Sequence, residues 1–221
     1  MSDSLAKGDT SMLAELHATT SGLKILASTA LTEDLETARR CLGGHGFSEF
    51  AGIGRMYALG LPMATCVFFF LRPQARADGR SPCSYEGDNY VLDLQVVRAA
   101  VKAFKRYASA AKPDPSTLPP SSRYLRLLYP SSRDNVASGD WADPRRSVNL
   151  LELRAVHMVR DYVKNEADPD ASAAQRVSRA VTEAFVAAQV ATFIQTLPTH
   201  LPGKEAQIVK DLLTLVSRSR Q

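Results

Sequence analysis

Tyr85-Glu86-Gly87-Asp88-Asn89-Tyr90 decides the reading of this chain, because an irregular segment there turns into the most regular helical pattern in the sequence. Downstream, Val91, Leu94, Val97, Val101, Phe104 and Ala108 recur at three- and four-residue spacing, with Arg98, Lys102, Lys105 and Arg106 mostly between them. That spacing predicts a helix of about twenty residues with one apolar face. Asp88 or Asn89 can cap it by accepting a backbone N–H, and Gly87 lets the chain turn sharply into the cap. Glu86 then stands on a bend just ahead of the first turn, and any chemistry is expected there. The alternative for a carboxylate at this place is structural: the partial positive charge of the helix start stabilises it by a few tenths of a kcal/mol up to about 1.

Tyr85 to Asn89, followed by Val-Leu-Asp-Leu-Gln-Val-Val-Arg-Ala-Ala at 91–100, resembles the catalytic segment of the flavin-dependent acyl-CoA oxidases. A second stretch agrees, in the correct order. Arg39-Arg40-Cys41-Leu42-Gly43-Gly44-His45-Gly46-Phe47-Ser48 resembles the Gly-Gly-His-Gly loop that precedes that segment in the same family. Leu16-His17-Ala18-Thr19-Thr20-Ser21-Gly22-Leu23-Lys24 extends the resemblance upstream. By itself, a glycine pair after a helix also reads as a C-cap and turn, and its exposed N–H groups are open to a phosphate or an adenine edge.

The resemblance implies a site. Making a double bond beside a thioester requires a carboxylate near the α-carbon, with a pKa raised by desolvation once the acyl chain excludes water. The family assigns that role to Glu86, whose backbone N–H would also hydrogen-bond the thioester carbonyl as in an oxyanion hole. Gly43, Gly44, His45, Gly46 and Asp88 become cofactor-binding residues, the glycine loop reaching the nucleotide part of a neighbouring subunit's FAD. The implied substrate is a fatty acyl-CoA, with hydride passing to the flavin and electrons on to dioxygen as hydrogen peroxide. A homodimer and residence in the peroxisome are implied in the same way. Two other readings stay open: a related acyl-CoA dehydrogenase passing electrons to an electron-transfer flavoprotein, and a non-catalytic helical module that binds a full-length oxidase.

Composition excludes other classes. The 221 residues are 45% hydrophobic and 23% charged, as in a soluble globular protein. The net charge of +4 is spread over several helices with no aromatic-interleaved basic patch, so no nucleic acid is expected as a partner. Cys41, Cys66 and Cys83 form no CxxC pair, and His17, His45, His157 and His200 lack ligand spacing. No metal site is expected, and the thiols are read as reduced. Residues 1–10 lack the basic start and apolar core of a signal peptide. The apolar run 57–71 is shorter than the roughly twenty residues a bilayer needs and contains Gly60 and Pro62, so no membrane is expected.

The remaining elements follow in order. Residues 11–30 fit a helix through Leu13, Leu16, Leu23, Ile25 and Leu26, and Thr32 can cap a second short helix over 33–42 that Gly43-Gly44 ends. Residues 66–84 show neither helical nor strand period and read as a translated intron or gene-model error, or as a family-specific loop. A proline-rich linker spans 112–142, with a short helix at 121–129. Asp143-Pro144 opens a helix through Leu150, Leu151, Leu153, Val156, Val159 and Val163. A second, over 172–196, carries Val177, Val181, Phe185, Ala188 and Phe193 and stops before Pro198. A third, over 204–217, carries Ile208, Val209, Leu212, Leu213 and Val216.

The expected fold is all-α with negligible strand. Residues 1–111 would form a partial acyl-CoA dehydrogenase-type helical bundle and 143–221 part of the oxidase C-terminal helical domain. The resemblance covers the C-terminal part of a family member, without the domains that hold the isoalloxazine. The polypeptide alone is therefore expected to bind no FAD and release no peroxide. Arg218-Ser219-Arg220-Gln221 is not a Ser-Lys-Leu type peroxisomal signal.

Overall fold

The computed structural model describes residues 12–58, 88–110, 114–129, 144–166, 171–200 and 203–219. Glu86, Tyr85, Gly87, Asp143 and the whole of 66–84 lie outside the described residues. Every regular element among the described residues is helical, as the all-α reading requires. The chain divides into two compact units, Met1–Val96 and Val97–Gln221.

In the first unit, α1 is one helix of 29 residues, Leu13–Cys41, where two had been expected. Thr32 does not cap a second helix. Its hydroxyl donates to the Ser28 carbonyl at 2.9 Å, four residues back, which a helix interior accommodates without interruption. Glu36 pairs forward with Arg39 at 3.1 Å and Arg40 at 2.8 Å, three and four residues on, which supports a continuous helix. Both arginines sit in the last turn, where the carbonyl end of the helix favours positive charge. Gly43, at φ +58°, follows the C-cap Leu42 and takes the left-handed position at which helices commonly end.

The buried face of α1 is also unexpected. Ser21, Gly22, Lys24 and Ser28 are buried, whereas Leu13 and Leu23 are exposed by 48% and 38%. Helix α2 spans Asn89–Ala108, 20 residues, as the spacing predicts. Its first two turns belong to the first unit and the rest to the second. Leu92, Val96, Val97, Ala100, Val101 and Tyr107 are buried, while Val91 is 48% exposed. Only Val97 and Val101 are shared with the expected stripe, so the buried face is turned by roughly one residue's rotation, about 100°. Apolar residues cover most of this helix's circumference, and packing rather than periodicity selects among them.

The second unit is built on α3, Pro144–Lys164, and α4, Ala171–His200. Pro144 occupies the first helical position, where its missing N–H costs nothing. Helix α4 runs through Pro198, which had been expected to stop it, because a proline near the last turn removes one donor without having to carry a further turn. Among the described residues α4 is long and apolar enough to cross a membrane by length and composition, and it packs on α3 and carries Glu183, which Arg154 and Arg179 pair. Phe193, expected in the stripe, is 49% exposed. Helix α5, Gly203–Ser219, packs on α4 and α3, and Ile208 faces outward.

Two 3-10 segments, Pro115–Thr117 and Pro120–Leu127, precede α3. Asp114 caps the first by accepting from the Ser116 backbone N–H at 2.8 Å and its hydroxyl at 2.7 Å. Those bonds, the backbone one foremost, hold its carboxyl below the usual range. The second segment packs against α3 and α4 and buries Tyr124, Leu125 and Leu127.

Burial pushes the Tyr124 phenol far above the ordinary value of a tyrosine, and its hydroxyl finds no hydrogen-bond partner among the described residues. The neutral form is favoured in the folded state. The stabilisation is therefore full below the unfolded value near 10 and is lost as pH rises above it. Tyr124→Phe is expected to leave a shallower alkaline loss of stability above about pH 10. At neutral pH it should raise stability by about 1 kcal/mol, since it removes an unsatisfied buried hydroxyl. Thermal melts at pH 7 and pH 10.5 check both, and a loss of stability at neutral pH would contradict them.

Candidate functional site

The glycine loop, Gly43–Phe47, is a 3-10 turn folded back on the end of α1. Gly46 is buried there, and a Cβ on it would overlap the Arg39 carbonyl oxygen. Only glycine allows that approach. The Arg39 guanidinium lies over the Phe47 ring at 4.6 Å and the Tyr57 ring at 4.8 Å, which holds the loop exit. The Ser48 N–H and hydroxyl both donate to the His45 carbonyl, at 3.0 and 2.8 Å, closing the turn.

Gly43, Gly44 and His45 stay exposed. A Cβ on Gly43 or Gly44 would meet nothing within 4 Å, so the backbone there is open to a flat or anionic group. That openness fits the edge contact a nucleotide would make. Gly46→Ala should cost about 1–3 kcal/mol by overpacking and should weaken the stacking of Arg39. A melting temperature unchanged from the parent chain would contradict the close approach.

The second part of the site is the start of α2. Asp88 is exposed, and its carbonyl accepts the Leu92 N–H at 3.0 Å, which makes it the residue at which the helix begins. The Asn89 side chain does not cap. Its Oδ1 accepts from Lys24 Nζ at 2.7 Å, and its Nδ2 donates to Ser28 Oγ at 3.1 Å. Further along, His17 and Gln95 are also hydrogen-bonded. Ascending α1 from 17 to 28 thus descends α2 from 95 to 89, and the two helices run antiparallel.

His17, Ser21, Lys24 and Ser28 form a polar row at heptad-like spacing on α1. Sequence reasoning sought leucines and missed it, although this period was the available signal. Glu86 lies outside the described residues, three positions before Asn89. The glycine loop and the Asn89 contact at Ser28 are fifteen residues apart along α1, about 20 Å at the rise of an α-helix. Loop and helix start are thereby held at two separate places in one chain. Cys41 is an exposed free thiol beside the loop.

Residues 1–67 match the family described as acyl-CoA oxidase, C-alpha1 domain. The chain is similar to the peroxisomal acyl-coenzyme A oxidase 1 of Arabidopsis thaliana, 32% identical over 165 residues, covering 75% of this chain and 22% of the relative. The chain thus spans about a fifth of that relative's length. The solved structure of Arabidopsis thaliana acyl-CoA oxidase 1 matches with a TM-score of 0.69 at 26% identity, over 97% of this chain and 30% of that one. Acyl-CoA oxidase-2 of Caenorhabditis elegans, solved with FAD, ascaroside-CoA and ATP, shares the fold with a TM-score of 0.69 at 23% identity, over 96% of this chain and 29% of that one.

Proposed function

The chain belongs to the acyl-CoA oxidase family, and from that premise we propose that it serves the α,β-dehydrogenation of a fatty acyl-CoA to the trans-2-enoyl-CoA in β-oxidation, with Glu86 as base. The observation that supports the assignment is that α2 begins at Asn89, three residues after Glu86 in the sequence. A carboxylate there takes the α-proton, and a dry acyl pocket raises its pKa toward neutrality. The Glu86 N–H is the donor for the thioester oxygen as negative charge grows on it. FAD, when bound, takes the hydride and returns the electrons to dioxygen as hydrogen peroxide.

The open backbone at Gly43 and Gly44, with His45 and Gly46 completing the loop, would hold the nucleotide end of the FAD of a second copy. Asp88 is assigned to the same cofactor. The working enzyme is read as a homodimer, and its residence in the peroxisome follows the naming of the relatives.

The test replaces the matching segment of the Arabidopsis oxidase 1 with this chain, without residues 66–84. Acyl-CoA-dependent peroxide release is the expected result. Bleaching of the flavin by acyl-CoA without peroxide, and with electrons delivered only to an electron-transfer flavoprotein, would make it a dehydrogenase. No turnover in a chimera that folds and dimerises would leave only a helical binding module.

A further inference from the structure

Three of the five residues of the loop Gly43–Phe47 are glycines, which lose more conformational freedom on ordering than any other residue. Around the Cβ positions of Gly43 and Gly44 nothing stands within 4 Å, so no neighbour packs against them there. A fixed conformation has to be imposed from outside the pair, and Arg39 does so with both its main chain and its side chain. Its carbonyl oxygen stands where a Cβ on Gly46 would be, so the loop backs directly onto the last turn of α1. Its guanidinium lies over the Phe47 ring at the loop exit and over the Tyr57 ring ten residues further on.

The rings, and not an ordinary ion pair, account for where this cation sits. Glu36 is its charged partner, at 3.1 Å, but the other oxygen of that carboxylate accepts from Arg40 Nε at 2.8 Å. Two neighbouring arginines thus share one carboxylate. Arg40 remains 74% exposed, whereas Arg39 is 23% exposed, with an Nε that is buried and has no hydrogen-bond partner among the described residues. The carboxylate alone does not draw an arginine in. Attraction of the cation to the negative faces of two rings does, and it strengthens as water is excluded.

We propose that Arg39 is a positioning residue for the cofactor loop: by clamping Phe47 and Tyr57 it holds the Gly43–Gly44 backbone in the conformation that receives the nucleotide end of FAD. This rests on the reading of the loop as a FAD contact. Arg39 touches neither cofactor nor substrate in this assignment, and acts through the loop.

Two measurements test it. Arg39→Met keeps the apolar stem and removes the cation. In the chain itself it should speed exchange of the Ser48 amide, whose N–H donates to the His45 carbonyl inside the loop, by about tenfold, with α3 unchanged. In the chimera stripped of its flavin and titrated with FAD, Arg39→Met should raise the half-saturating FAD concentration by about tenfold. At saturating FAD, kcat and the KM for acyl-CoA should stay within about twofold, because the loop is assigned to the end of the cofactor away from the reacting ring. Arg39→Lys keeps a cation over the rings and should lie closer to the parent than to Arg39→Met in both measurements. Tyr57→Leu removes one ring, should give the same split more weakly, and decides the matter if Arg39→Met does not fold. Added to Arg39→Met it should cost little further, since its partner is already gone.

The reading of the loop is tested separately. Gly44 has open space and no left-handed φ, so Gly44→Glu should melt as the parent does, while its carboxylate should weaken FAD by at least about tenfold through repulsion of the diphosphate. Unchanged Ser48 exchange or unchanged FAD half-saturation in Arg39→Met would overturn the positioning role. So would equal effects of Arg39→Lys and Arg39→Met, or a fall in kcat at saturating FAD. FAD binding unaltered in Gly44→Glu would instead sink the reading of the loop, and the inference with it. Weakened FAD in Gly44→Glu beside normal binding in Arg39→Met would leave the loop standing and remove Arg39.

Discussion

Glu86→Gln in the chimera is expected to lower acyl-CoA-dependent peroxide release by at least about 10²- to 10⁴-fold while FAD stays bound. The amide keeps the size and planarity of the carboxylate, and the backbone N–H proposed for the thioester oxygen is unaltered by the substitution. What disappears is the acceptor for the α-proton. Glu86→Asp separates charge from reach: it keeps a carboxylate one methylene short, and a loss of about 10²-fold is expected from misplacement alone. Stopped-flow bleaching of the flavin by acyl-CoA reads the chemical step directly. Peroxide release near the parent rate in Glu86→Gln would refute the assignment.

The helix that makes this assignment specific was the most legible element. Asn89–Ala108 has the length that its apolar spacing predicts, and Gly43 ends α1 where a glycine after a basic last turn should. Facing was less legible. In α2, apolar residues at 91, 92, 94, 96, 97, 100, 101 and 104 offer several equivalent stripes, and the burial of Leu92 and Val96 in place of Val91 is settled by neighbours far away in sequence. Boundaries failed where a residue has two uses. Thr32 can cap or bond back to a carbonyl, and it bonds back to Ser28. Pro198 can stop a helix or sit in its last turn.

At the site, glycines were readable because their reasons are local. Gly43 needs a left-handed φ, and Gly46 needs room beside a carbonyl on the turn just before it. Lys24 and Asn89 were not readable in the same way. Sixty-five residues separate them, and each has an ordinary solvent-facing or capping role on its own. Hydrophobic periodicity rewards leucines and is blind to a polar face satisfied across a helix pair, which is why Leu13 and Leu23 were placed inward and are exposed.

The same blindness hid a buried ion pair in the second unit, where Arg126→Met is expected to cost about 3–5 kcal/mol. Glu152 is 1% exposed, in the middle of α3, and Arg126 meets its Oε2 at 2.6 Å while also donating to Asn149 Oδ1 at 2.6 Å. Arg126 itself is 31% exposed, and Arg123, at 3.5 Å from Oε1, is 50% exposed. The desolvation therefore falls mainly on the carboxylate. Removing Arg126 strands that charge with a single, half-exposed and screened partner, whereas removing the carboxylate lets both arginines turn toward water. Methionine keeps the apolar stem of the arginine, so packing loss contributes little. Glu152→Leu should consequently cost clearly less than Arg126→Met, and the double variant should recover most of the loss, since no charge is left buried. Urea denaturation of the four proteins gives the cycle, and equal costs for the two single variants, or a double variant as unstable as their sum, would show that the pair is not carried by burial of Glu152.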